Sequence, residues 1–386
     1  MLYRTNPKNG GQISQLGFGC MRFPKDDREV EEQIVYAVEN GVNFFDTAYI
    51  YPRSEERFGK VLTKKGYRDK ILISTKMPAY LVRKREDFDR IFDTQRRRLQ
   101  TDSIDYYLMH MLPGVKEWDR MRGLGFLDWF AAKKDAGQIH NLGFSYHGGL
   151  GAFKALADAH EWDFCMLQFN YLDERSQAGV DGVAYAAARG MPVIAMEPLR
   201  GGLLATKLPA DAADVWKNAA PARSPAEWGL RWVLHHPAVI TALSGMSAME
   251  AVRENVRVAS EATANALTDA DLARYAKVRQ VMMGKGSIPC TGCNYCMPCP
   301  AGIDIPMCFS CYNDGKMGIE KGVRVKFNYI IRTNNHQASR CTGCGACEAH
   351  CPQQVPIREA LKMVAKEMEG VAYRPLAFAC RKFLHQ

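Results

Sequence analysis

Two groups of side chains in this sequence have the types and spacing to do chemistry. The first is rich in thiols. Cys290, Cys293, Cys296 and Cys299 follow one another with two residues at each step, and Pro300 comes next. Cys341, Cys344, Cys347 and Cys351 repeat the run with three residues before the last cysteine, and Pro352 follows. Four soft thiolates at this spacing suit zinc or an iron–sulfur cluster. Zinc usually takes separated Cys-x2-Cys pairs. Three close cysteines with a remote fourth favour a cubane, because a short loop wraps one set of corners and the chain returns later. In the two-cluster pattern that the second run matches in full, the fourth cysteine of each run serves the other cluster. Cys290, Cys293, Cys296 and Cys351 are therefore expected on one 4Fe–4S cluster, and Cys341, Cys344, Cys347 and Cys299 on the other.

The second group is Asp46, Tyr51, Lys76 and His110, each at or just after the end of an apolar run. A tyrosine donates a proton to a carbonyl oxygen usefully only if its pKa falls from about 10. A nearby ammonium lowers it by favouring the phenolate, and an aspartate keeps that ammonium charged and oriented. A histidine beside them can hydrogen-bond the substrate oxygen as it gains negative charge.

Such residues need a frame. Strand-like runs occur at 16–21, 43–45, 71–75, 105–109, 139–144, 164–167, 192–196 and 239–243, with helical patterns between them. Val30, Ile34, Ala37 and Val38 share a helix face that Gly41 ends, and Phe88, Ile91, Phe92, Gln95 and Leu99 repeat the spacing with one polar slip. Ser247 with Glu250 has the spacing of a capping box. Asn9-Gly10-Gly11 reads as a hairpin ahead of the first run. The alternation predicts an α/β fold, a (β/α)8 TIM barrel, in which catalytic groups sit at the C-terminal ends of strands. A doubly wound sheet is the rival, but no Gly-x-Gly-x-x-Gly follows the first run. The barrel is expected over residues 1–284. A small, mainly helical, ferredoxin-like iron–sulfur domain is expected over 285–370, and a tail over 371–386.

Asn43-Phe44-Phe45-Asp46-Thr47-Ala48-Tyr49-Ile50-Tyr51, Ser74-Thr75-Lys76 and Asp105-Tyr106-Tyr107-Leu108-Met109-His110 resemble the aldo-keto reductase superfamily. Leu16-Gly17-Phe18-Gly19 and Leu142-Gly143-Phe144-Ser145 do so too. The resemblance implies Tyr51 as general acid, Lys76 and Asp46 as its tuning pair, and His110 as the group orienting the substrate. It also implies an NAD(P)H site drawing on Ser145, Gln168, Met196, Glu197, Leu199, Glu254 and Asn255. The sequence departs from the family at three places. Met196-Glu197 stands where Tyr-Ser is usual, Gly245 where a phosphate-clamping lysine is, and Ala251 where an arginine is. Arg253 is out of register. A 2′-phosphate needs a cationic partner, so NADP specificity is weakened. Barrel plus cluster tail resembles an iron–sulfur-containing subgroup of the superfamily. It implies an oxidoreductase acting on a carbonyl-type small molecule, its clusters relaying electrons or serving structure. The alternative is an electron-transfer protein, or a reductase fed by its clusters without nicotinamide. No motif names a flavin, and none excludes one.

The remaining numbers bound these readings. The chain has 386 residues, 47% hydrophobic and 24% charged, as in an ordinary globular protein. Its formal charge of +9 is dispersed, and Arg96-Arg97-Arg98 reads as a solvated helix end, which argues against nucleic acid. No apolar run is long enough for a membrane span, and the first residues lack the order of a secretory signal. A cytoplasmic location is expected. Only Cys20 and Cys165 of 13 cysteines precede Cys290, against the disulfide scaffold of a secreted protein. Cys308 and Cys311 read as buried inert thiols, with a third metal site or a redox pair as alternatives. A ferredoxin- or flavodoxin-type electron partner is expected alongside the substrate.

Overall fold

The computed structural model describes residues 1–147, 149–175, 177–283, 286–290, 292, 295–316, 323–327, 331 and 336–370. By contact the chain falls into two compact units. Met1–Leu199 and Ala226–Asp269 make the first, and Arg200–Pro225 and Ala270–Gln386 the second.

The first unit begins with an antiparallel hairpin, β1 (Tyr3–Thr5) and β2 (Gln12–Ser14), with Thr5 opposite Gln12. Eight parallel strands then close a barrel: β3 (Leu16–Gly19), β4 (Phe44–Asp46), β5 (Leu72–Pro78), β6 (Ile104–His110), β7 (Ile139–Tyr146), β8 (Phe164–Gln168), β9 (Val193–Met196) and β10 (Val239–Ser244). Each lies within a few residues of a predicted run. Short buried runs in a parallel sheet are apolar on both faces, which makes them readable. The helix Asp27–Glu39 buries Val30, Ile34, Ala37 and Val38, and Gly41 behind it has φ +88°. The helix Glu86–Leu99 explains its polar slip. Gln95 is fully buried, accepts the Tyr107 hydroxyl at 2.8 Å, and donates to Thr75 and to the Lys76 carbonyl at 3.0 Å. This helix meets the helix Ser54–Lys65 at Gly59, where a β-carbon would lie 2.3 Å from the Arg98 carbonyl oxygen. The capping box expected at Ser247 and Glu250 does not form. The helix Met249–Glu261 is entered from Ala248 without a side-chain bond, because extended backbone at Ala248 puts Ser247 one residue too early.

Register carries one face around the barrel. Asp46 pairs with Ser74, Lys76 with Leu108, Leu108 with Gly143, Ser145 with Met166, and Gln168 with Met196. Phe44, Leu72, Tyr106, Leu108, Phe164, Met166, Ile194 and Met196 on this face pack into the interior cluster. Side chains alternate along a strand, so each two-residue step toward the C-terminal end stays on that face. Those steps run from Phe44 to Asp46, from Leu72 through Ser74 to Lys76, and from Leu108 to His110. They also run from Gly143 to Ser145 and from Phe164 through Met166 to Gln168. An apolar floor thus gives way to a polar layer at the end where barrels place their chemistry.

The second unit packs the helices Ile305–Lys316 and Ile357–Met368 around Ile303, Phe309, Tyr312, Leu361 and Val364. Its other segment contributes Trp216, whose ring stands 5.0 Å from that of Tyr275. Gly284 and Lys285, where the expected domain boundary falls, and the tail 371–386 lie outside the described residues. Among the described residues no helix is long and apolar enough to cross a membrane.

Candidate active site and cysteine runs

Lys76 donates from Nζ to Asp46 Oδ2 and to the Thr47 carbonyl, both at 2.5 Å. Ser74 Oγ donates to the other Asp46 oxygen at 2.9 Å. The Lys76 ammonium lies 5.0 Å from the centre of the Tyr51 ring, and the His110 ring stands edge-on to that ring at 6.0 Å. The structure thus brings the four predicted residues together, the lysine and aspartate almost fully buried. Removing one partner of such a pair strands a charge at a cost of about 3–5 kcal/mol.

The electrostatics differ from expectation at one point. Tyr51 was expected below its ordinary pKa, but it is raised, first by desolvation, then by the Asp46 and Glu197 carboxylates. Arg22 opposes this only in part. Burial and the Asp46 carboxylate thus favour the neutral phenol, which stays protonated and holds a proton to give. His110 is pushed well below 6.5 by desolvation, then by Lys76 and His147. His147 and His236 are each lowered to about 4, mainly by burial. The unfolded chain binds protons at these positions as pH falls through 6.5, and the folded chain does so only further down. Stability is therefore fully present above about pH 6.5 and declines toward about pH 4. Anaerobic melting temperatures should fall between pH 7 and pH 5, and His110→Gln should flatten that slope. An unchanged slope would remove His110 from the account.

Of the residues expected around a dinucleotide, Ser145, Gln168 and Met196 lie at that strand-end rim, and Glu254 and Asn255 lie on the helix Met249–Glu261. Ser145 Oγ accepts the Met111 amide at 2.8 Å. Gln168 Nε2 donates to Asp173 at 2.8 Å, and Gln168 Oε1 accepts from Gln177 Nε2. Glu197 follows Met196 with φ +55°, a conformation that costs a residue with a β-carbon energy, and Asn170 Nδ2 holds its carbonyl at 3.3 Å. Leu199 lies over Gly229, where a β-carbon would meet it at 2.5 Å. Asn255 donates to Ser244 at 2.9 Å, with Glu254 beside it half-buried. Arg253 lies over the Tyr36 ring at 5.7 Å. His147, which no sequence motif marks, continues the inward face one step beyond Ser145. Counting by twos from Ser145 would have found it.

In the second unit Cys290, Cys296, Cys299, Cys341, Cys347 and Cys351 lie partly buried against the apolar core, and Cys344 is exposed. Cys293 lies outside the described residues. Among the described residues no three His, Cys, Asp or Glu side chains converge as a single metal ion would require. The donor chemistry fits a larger group: thiolates spaced along two loops over an apolar floor, which lowers the dielectric around a cluster. Both runs open Cys-Thr-Gly-Cys, and Gly292 and Gly343 share a left-handed backbone, φ +69° and +76°, with open space where a β-carbon would stand. That shared tetrapeptide is a repeat the spacing alone did not use. Cys308 and Cys311 are buried in the helix Ile305–Lys316, and the Cys308 thiol points to the His336 carbonyl at 3.6 Å. Burial raises its pKa, which suits an inert packing thiol.

Residues 15–279 match the Aldo/keto reductase family, and residues 289–355 match the 4Fe-4S dicluster domain. The chain is 26% identical over 308 residues to the uncharacterized oxidoreductase YrpG of Bacillus subtilis, covering 67% of this chain and 90% of that protein. It is 25% identical over 280 residues to the uncharacterized oxidoreductase YqkF of the same organism, covering 64% of this chain and 88% of that protein. Among solved structures it resembles the aldo-keto reductase AKR11C1 of Bacillus halodurans in its holo form. The TM-score is 0.61 and the identity 25%, over 72% of this chain and 96% of that one.

Proposed function

Because the chain belongs to the aldo/keto reductase family and carries a 4Fe-4S dicluster domain, we propose that it is a cytoplasmic carbonyl reductase using NAD(P)H. The observation that carries this reading is the Lys76 ammonium between the Asp46 carboxylate at 2.5 Å and the Tyr51 ring at 5.0 Å, with His110 against the same ring. Reduced nicotinamide, when bound, supplies a hydride to the carbonyl carbon. Tyr51 gives the carbonyl oxygen its proton, so hydride and proton together make the alcohol. As that proton leaves, the phenolate is met by the Lys76 ammonium, which Asp46 and Ser74 hold in place. Neutral His110 steadies the same oxygen. Ser145, Gln168, Met196, Glu197, Leu199, Glu254 and Asn255 would border the dinucleotide.

Cys290, Cys293, Cys296 and Cys351 would hold one cluster, and Cys341, Cys344, Cys347 and Cys299 the other. The domain division at 284/285 and 370/371 belongs to this proposal. Nicotinamide gives two electrons at once and each cluster takes one. Coupling the two needs a two-to-one converter, normally a flavin, and an electron partner of ferredoxin or flavodoxin type would exchange single electrons with the clusters. A second reading, a cluster-fed reductase without nicotinamide, is favoured by one observation: Met196, Gly245 and Ala251 stand at positions where the family grips its dinucleotide. Titrating the anaerobic holoprotein with NADH and NADPH separates the two. Binding of both, with NADH no weaker, is the expected result. Binding of neither overturns the nicotinamide reading, and a marked preference for NADPH overturns the expected specificity.

A further inference from the structure

One half-buried side chain at the barrel mouth, with a buried ring nitrogen, has no part in the reaction above. His147 directly follows β7, and three register relations place it. Met109 pairs with Phe144, which sets His110 level with Ser145 on the inward face. Tyr146 pairs with Leu167, which sets His147 level with Gln168. Ser145 and His147 are two residues apart and share that face. His147 thus continues the inward face one residue beyond the end of β7, between the strand ends that carry His110 and Gln168.

Its ring is held on one side. Gln177 hydrogen-bonds it, and Gln177 is tied through Gln168 to Asp173. Nδ1 is buried and has no partner among the described residues. A polar atom shut away from water without a partner costs about 1–3 kcal/mol, so something that enters the site is expected to meet it. The ring is neutral at physiological pH, which disfavours a charged ligand there. Its proximity to His110 is registered in the lowering of the His110 pKa.

The geometry points to His147 as a specificity-determining residue that takes a hydroxyl on the carbon next to the reacting carbonyl, so that the enzyme prefers 2-hydroxy carbonyl compounds. The carbonyl oxygen has two lone pairs, and Tyr51 and His110 use both. A third neutral group beside them is left for a second oxygen of the substrate. Nδ1 is a bare acceptor in one tautomer and an N–H donor in the other. A hydroxyl answers either, whereas a second carbonyl answers only the donor. This inference rests on the carbonyl reductase reading.

The test compares two ketones of nearly equal shape, hydroxyacetone and 2-butanone, with the anaerobic holoenzyme. Wild type should favour hydroxyacetone in kcat/KM by at least about tenfold, as one satisfied buried hydrogen bond allows. His147→Leu should cost hydroxyacetone about 30-fold and 2-butanone less than about threefold. His147→Asn, which offers both donor and acceptor, should restore part of the difference. Without turnover, propane-1,2-diol should bind wild type more tightly than 2-butanol does, and His147→Leu should erase that gap. Equal treatment of the two ketones by an active wild type overturns the inference and leaves the carbonyl reductase reading standing. So does an equal loss for both in His147→Leu, which with weakened NADH binding would give the imidazole to the nucleotide. A wild type that binds nucleotide but reduces neither ketone nor any other carbonyl overturns both.

Discussion

Tyr51→Phe is expected to lower kcat/KM for carbonyl reduction by about a thousandfold, roughly 4 kcal/mol of transition-state stabilisation, within the range of a lost general acid. Nothing else at the site needs to move. The ring stays against Lys76 and His110, since both contacts are to the ring. Nucleotide affinity and iron content should therefore stay near wild type. Lys76→Met is the instructive contrast. It leaves the buried Asp46 carboxylate with the Ser74 hydroxyl but without its ammonium, so it should cost stability as well as rate. Steady-state kinetics and melting curves of the two variants separate the roles. A Tyr51→Phe enzyme that keeps most of its turnover would mean another group supplies the proton.

The second large effect concerns iron. Protein purified without oxygen should carry about eight irons with matching acid-labile sulfide, the content of two cubanes. Because the fourth cysteines are expected to cross, the losses should follow cluster and not sequence run. Cys290→Ser with Cys351→Ser strikes one cluster twice and should leave about four irons. Cys341→Ser with Cys351→Ser strikes both and should leave almost none. Cys308→Ser should leave iron unchanged, its thiol being spent on core packing beside Phe309 and Val364. The reverse pattern for the two double variants would assign each run to its own cluster. Zinc with little sulfide would remove the cluster reading.

The barrel was legible because its strands are short apolar runs buried on both faces, separated by helices with clear faces. The four candidate catalytic residues could be picked out because Asp46, Lys76 and His110 lie at or near the ends of such runs, Tyr51 follows one in the next loop, and the surrounding residues resemble one superfamily. What stayed hidden depends on three-dimensional sums. The pKa direction of Tyr51 reflects burial and two carboxylates, of which Glu197 arrives from a distant strand. The left-handed turns at Met111 and Glu197 carry no glycine to announce them. His147 lies outside every quoted motif; a count by twos from Ser145 reaches it, but its place beside Gln168 depends on register. The Ser247 and Glu250 spacing shows the converse: a helix-start pattern that the backbone does not use.

In the proposed reaction the hydride comes from nicotinamide and the proton from Tyr51. The most direct measurement is a single anaerobic turnover with NADH carrying deuterium at both C4 positions, followed by mass analysis of the alcohol. One deuterium is expected on the carbinol carbon in wild type, formed at a much lower rate in Tyr51→Phe. Reduced product without deuterium would contradict it, because the reducing electrons would then have reached the substrate through clusters or flavin, with solvent supplying the hydrogen.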